Sequence, residues 1–111
     1  MIHKSLPHHR LLAWELALEL VRLVAAIRIG DAANRSQARD AASSCGRNVA
    51  EASARGSAAD ARRVFAIARA ECVECVAAVE IAGALGACAA SDVERVVKLG
   101  ARLSAVIRGL T

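Results

Sequence analysis

The charged residues Glu15, Glu19 and Arg22, within the stretch from Leu11 to Ile29, share a single wedge of a helical wheel. At ~100° per residue that wedge is only about 60–80° wide. Two apolar stripes take up most of the remainder. Leu11, Trp14, Leu18, Val21 and Ala25 form one, and Leu12, Leu16, Leu20, Leu23 and Ile27 form the other, about half a turn away. A helix lying on one side of a lone bundle needs an apolar arc of only about 100°. The first helix is therefore expected to have two burial partners, its own bundle and another subunit. The second stripe supplies the candidate interface residues.

The rest of the chain favours helices as well. Hydrophobic residues make up 56% of the 111 positions, yet Trp14 and Phe65 are the only rings. A core of Ala, Val, Leu and Ile fills little volume per residue, so backbones must approach closely, which suits helices better than a sheet. Pro7 is the only proline, so long helices are permitted. A second helix is expected from about Ser36 to Ala54, with Asp31, Asn34 and Ser36 as N-cap candidates and Gly30 as C-cap of the first. Ala38, Ala41, Ala42, Cys45, Val49 and Ala52 make its core stripe. A third follows from about Ala58 to Leu85, opened by Ser57 with Asp60 three residues on. Its residues Ile67, Ile81 and Leu85 lie off the core stripe and join the candidate interface. The fourth opens with "SDVE", where Ser91 and Glu94 form a capping box. These elements predict an all-α fold, an antiparallel up-and-down four-helix bundle in one domain over residues 1–111, with residues 1–9 as a flexible N-terminus.

Signals for chemistry are sparse. Glu80 interrupts the apolar run of the last third, so no membrane span is expected. Glu15, Glu19 and Arg22 rule out the unbroken apolar core of a signal peptide. The expected location is the cytoplasm, where Cys45, Cys72, Cys75 and Cys88 would be reduced. "ECVEC" holds a C-x-x-C, but Cys72 and Cys75 share a helix stripe with Phe65, Ala68 and Val79 and read as apolar filler. His3, His8 and His9 all lie within the first nine residues, far from any thiol. Glu71 with Glu74, and Glu15 with Glu19, follow surface spacing on helices. Neither an enzyme, a metal site nor a cofactor is expected.

The net charge of +4 is compatible with a nucleic-acid partner. Arg39 and Arg47 point away from the core stripe of the second helix, and Arg95, Lys98 and Arg102 do the same on the fourth. They are the candidate phosphate contacts. The scarcity of aromatics argues against stacking on bases, so contact would be to the backbone or to shape.

The segment "SSCGRNVAEASARG" interrupts its alanines with Gly46, Asn48, Glu51 and two arginines. Ser44, Asn48, Glu51 and Arg55 follow helical spacing and form one polar flank beside the alanine stripe. Such a flank can clasp a neighbouring helix, with Arg69 or Glu74 of the third helix as partners. On that reading Asn48→Leu damages folding or assembly, and Gly46 bends the helix or admits a close neighbour.

"LLAWELALEL" and the long central segment together resemble the family of small four-helix proteins encoded in intervening sequences of bacterial 23S rRNA genes. Gln37, Arg39, Ala41, Ala42, Ser44, Asn48, Ala50 and Glu51 fall on one part of its signature, and Ala68, Arg69 and Glu74 on another. Gly46 stands where the family often has proline, Ala52 where it has glycine, Ala70–Glu71 where it has Gly–Ser, and Arg10 in place of an acidic N-cap. The resemblance implies a bundle assembling as a ring-like homopentamer. The chain is similar, too, to the accessory variability protein of diversity-generating retroelements, which implies RNA or DNA and a reverse transcriptase as partners. A protein-interaction scaffold with no nucleic-acid role is the alternative.

Overall fold

The computed structural model describes residues 4–111. A 3-10 turn, Pro7–Arg10, precedes four α-helices: α1 (Leu12–Ala26), α2 (Ala32–Ser53), α3 (Ala58–Ala84) and α4 (Ala90–Arg108). No strand occurs among the described residues. The backbones of α1–α2, α2–α3, α3–α4 and α4–α1 lie close together, while those of the two diagonal pairs do not. This is the contact pattern of a four-helix bundle.

Side-chain size explains the seams. The broadest is α2–α3. Along their buried faces α2 carries Ala38, Ala41, Ala42, Cys45, Val49 and Ala52, with Gly46 turned to α1, and α3 carries Ala68, Cys72, Cys75 and Ala78. Two faces of such small groups let the backbones close up. The bulk of the interior comes from Leu16, Leu20, Leu103 and Ile107, all fully buried. Each such side chain contributes about 1.5–3 kcal/mol of apolar transfer free energy.

Most of the second apolar stripe of α1 is spent inside the chain's own bundle. Leu16, Leu20 and Ile27 are buried in the chain's own core, and Leu23 is half-buried against it; only Leu12 is exposed. The reason is that α1 packs against two neighbours, α2 on one flank and α4 on the other. A helix with two flanks to cover inside one bundle consumes apolar arc that a wheel alone assigns to another subunit. On α3 the expectation of exposure holds: Ile67, Ile81 and Leu85 are all open to solvent.

Helix ends follow local hydrogen bonding. Asp31 caps α2, its Oδ2 accepting from Asn34 N (3.1 Å) and Asn34 Nδ2 (2.7 Å). Gly30 does not cap α1, which ends at Ala26; its N–H donates to the Ala87 carbonyl at 2.7 Å and ties the first connection to the last. Ser57 caps α3, accepting from Asp60 N at 3.1 Å. The Ser91–Glu94 box does not form. The last turn passes through Gly86 (φ 74°) and the buried Cys88, so α4 starts at Ala90 and Ser91 already lies inside the helix.

The N-terminus is more ordered than expected over the residues described. Leu6 N donates to His9 Nδ1 at 3.1 Å, and the His8 ring meets Trp14 edge-on with centroids 4.5 Å apart. The 3-10 turn touches both α1 and α2. Residues 1–3, His3 among them, belong to the same expectation but lie outside the described residues.

Candidate functional site

All five candidate phosphate-contacting residues are exposed, but they are not equivalent. Arg95 pairs with Asp92 at 3.3 Å and Lys98 with Glu94 at 3.1 Å, both within α4. Such exposed pairs contribute little to stability, but each sets a carboxylate beside the cation and blunts its pull on a phosphate. Arg39, Arg47 and Arg102 form no ion pair among the described residues. α2 and α4 occupy a diagonal, so Arg39 with Arg47 and Arg102 stand on helices that do not adjoin. One chain therefore offers two small basic patches, not one.

The polar flank of α2 is partly as expected and partly differently wired. Asn48 Nδ2 donates to Ser44 Oγ at 3.4 Å, a bond that stays within α2. Glu51 pairs with Arg55, and Arg55 reaches Asp60 at 3.2 Å; Asp60 also holds Arg63 at 2.9 Å. The hydrogen bond from Arg63, with Arg55 nearby, keeps the Asp60 carboxyl below its usual range. The flank thus joins α3 through Asp60, at the turn.

Arg69 does not meet the flank. Its Nε donates to Ser104 Oγ on α4 at 3.2 Å. Glu74 is exposed with no ion pair among the described residues. The correction follows from which side of α3 each residue occupies: Arg69 lies one turn before Cys72 and two before Val76, on the side that faces α4. Sequence reasoning missed Asp60 as the junction, although its place three residues after Ser57 and five after Arg55 was there to be used.

The thiols are interior groups. Cys45, Cys72 and Cys75 are free and fully buried. Cys72 Sγ donates to the Gly100 carbonyl of α4 at 3.3 Å. The hydrogen bond shared with Cys72, reinforced by burial, pushes the Cys45 thiol far up, while the same bond draws Cys72 down against burial. Burial pushes Cys75 up to about 12. A buried thiol whose ionisation is opposed, as at Cys45 and Cys75, is a poor nucleophile. No cluster of three His, Cys, Asp or Glu side chains able to hold a metal occurs among the described residues. Desolvation against its neighbours, then the charge of His9, holds His8 below its ordinary value.

A shallow depression of about 220 Å³ opens between α3 and α4 over Val73, Val76, Val97 and Gly100, with Glu80 at its rim. No helix among the described residues is long and apolar enough to cross a membrane.

No curated protein matches the chain. The family model described as "23S rRNA-intervening sequence protein" matches residues 9–109, from the N-terminal turn to the end of α4. With all four helices inside that match, the chain belongs to the 23S rRNA-intervening sequence protein family.

Proposed function

We propose that this chain is a non-catalytic accessory protein of the cytoplasm that assembles as a ring-like homopentamer of antiparallel up-and-down bundles and holds RNA or DNA by its phosphates. The observation that carries the reading is that three of the five candidate residues, Arg39, Arg47 and Arg102, are exposed arginines without a carboxylate partner among the described residues. One chain's two small patches bind phosphate weakly, and repetition around a ring multiplies them. The reversed register of α3–α4 contacts, Arg69 with Ser104 and Gly83 beside Val93, supports the antiparallel arrangement. The burial of the thiols and the edge-on packing of His8 against Trp14 support a role without covalent chemistry.

Fluorescence anisotropy with labelled RNA and DNA at ~50 and ~200 mM salt tests it. If one arginine per copy engages, a ring makes roughly five phosphate contacts, with a slope of about −4 to −5 in log K against log salt. Arg39→Ala/Arg47→Ala and Arg102→Ala should each weaken binding and flatten that slope. Absence of binding at ~50 mM, where phosphate contacts are strongest, overturns the reading.

The exposed apolar side chains Ile67, Val73, Ile81 and Leu85 favour a second reading, a scaffold for a protein partner such as a reverse transcriptase. A partner complex that survives nuclease and ~500 mM salt favours it over phosphate binding.

A further inference from the structure

Six large apolar side chains are between 41% and 66% exposed among the described residues, and they fall into two groups. Leu6 and Leu12 sit at the N-terminal edge, around the 3-10 turn. Ile67, Val73, Ile81 and Leu85 run along α3 and its C-cap. Ile67, Glu74 and Ile81 recur every seventh residue, and Leu85 follows one turn on, so they share a stripe. Its length is about 27 Å at 1.5 Å per residue. Val73 and Glu80 lie about 100° round α3 from it, where the depression between α3 and α4 opens.

The two groups carry opposite charge. Residues 4–12 contain Lys4, Arg10 and two histidines but no carboxylate; Lys4 pairs with Glu15 of α1 at 3.7 Å, so Arg10, which forms no ion pair among the described residues, is the edge's main free cation. Residues 70–85 contain Glu71, Glu74 and Glu80 but no cation, and none of these three glutamates forms an ion pair among the described residues. The α3 face laid on its own copy would bring Glu74 and Glu80 towards their counterparts. The N-terminal edge laid on itself would do the same with Lys4 and Arg10. Like charges set against each other disfavour both self-pairings.

We propose that the N-terminal edge of one copy, led by Leu6 and Leu12 with Lys4 and Arg10, seats on the α3 face of a second copy, over Ile67, Val73, Ile81 and Leu85 between Glu74 and Glu80. The contact is head-to-tail, because the mating surfaces differ, and repeated contacts of that kind close into a ring when the rotation allows. This assignment rests on the self-assembly proposed above and adds the surfaces that make it.

Two double variants test it by light scattering and native mass spectrometry. Leu6→Asp/Leu12→Asp spoils only the edge, and Ile81→Lys/Leu85→Lys spoils only the face. All four positions are exposed, so helicity by circular dichroism should be unchanged. The unaltered chain is expected to be oligomeric and each variant alone monomeric. Mixed one to one, the variants should form a dimer with one chain of each and nothing larger, since one intact edge meets one intact face. An oligomeric unaltered chain with variants that still assemble, or with a mixture that stays monomeric, overturns the surfaces and leaves self-assembly standing. A monomeric unaltered chain at micromolar concentration overturns both. Should the edge variant lose helicity, Arg10→Glu replaces it: assembly weakens severalfold, and unchanged assembly overturns the proposal.

Discussion

Two seams of the bundle set a buried or half-buried glycine against a neighbouring helix, and they leave very different room around it. Where α2 meets α1, a Cβ on Gly46 would rest 3.8 Å from Trp14 Cζ3 and 3.9 Å from Ala17 Cβ, ordinary contact distances. Where α3 meets α4, a Cβ on Gly100 would overlap Val76 Cγ2, and one on Gly83 would come within 2.8 Å of Val93 Cγ2. The α3–α4 seam is also tied by polar groups, through Cys72 to the Gly100 carbonyl and Arg69 to Ser104. A glycine therefore means different things in the two places. Gly100 is a condition of close approach, whereas at Gly46 the packing leaves space for a methyl group.

The largest expected effect comes from filling the tight seam. Val76 is β-branched and stiff in a helix, so it cannot swing aside cheaply. Overpacking of this kind costs about 1–3 kcal/mol, offset in part by the ~1 kcal/mol that alanine gains over glycine in a helix. Gly100→Ala is expected to destabilise by up to about 2 kcal/mol, lowering Tm by several degrees. Adding Val76→Ala should recover much of that loss, and a double-mutant cycle by thermal melting measures the coupling. If Gly100→Ala melts as high as the unaltered chain, the α3–α4 seam has slack and the contrast with Gly46 collapses.

Filling the roomy seam should have the opposite sign. Gly46 lies mid-helix in α2, where glycine is ~0.5–1 kcal/mol worse than alanine. With ordinary contacts waiting for the new methyl, Gly46→Ala is expected to raise Tm by a few degrees. A fall in Tm would mean that Trp14 and Ala17 sit too close to yield. α2 runs unbroken from Ala32 to Ser53, so the glycine there neither ends the helix nor is needed for a turn.

These contrasts mark what could be read along the chain. The alanine stripe of α2 was legible because burial on one helix face follows from spacing alone: Ala38, Ala41, Ala42, Cys45, Val49 and Ala52 are all buried. The Ser57 cap was legible because its hydrogen bond spans three residues. Of the candidate basic residues, exposure was legible from the wheel, and the carboxylates that neutralise Arg95 and Lys98 stand three and four positions before them. What spacing could not supply was the identity of a neighbour. Leu16 and Leu20 looked like surplus apolar surface because a wheel does not count the helices around it. Arg69 was aimed at α2 for the same reason, since α3 borders both α2 and α4.

Asn48 gives the smallest expected effect, and its size decides whether the α2 flank works within one chain or between chains. Within one chain, Asn48 is half-buried, and its one side-chain hydrogen bond is the long one to Ser44 in the same helix. Pairs of that type contribute about 0.2–0.5 kcal/mol, and leucine is the better helix former. Asn48→Leu is therefore expected to shift Tm by no more than about 2 °C, well short of the damage that a clasp onto Arg69 or Glu74 would bring. Suppose instead that Asn48→Leu costs more than ~1 kcal/mol while Ser44→Ala is harmless. The amide would then be meeting a group that a lone chain does not offer. The α2 flank would belong to a contact between copies, and the loss should track protein concentration in the melt.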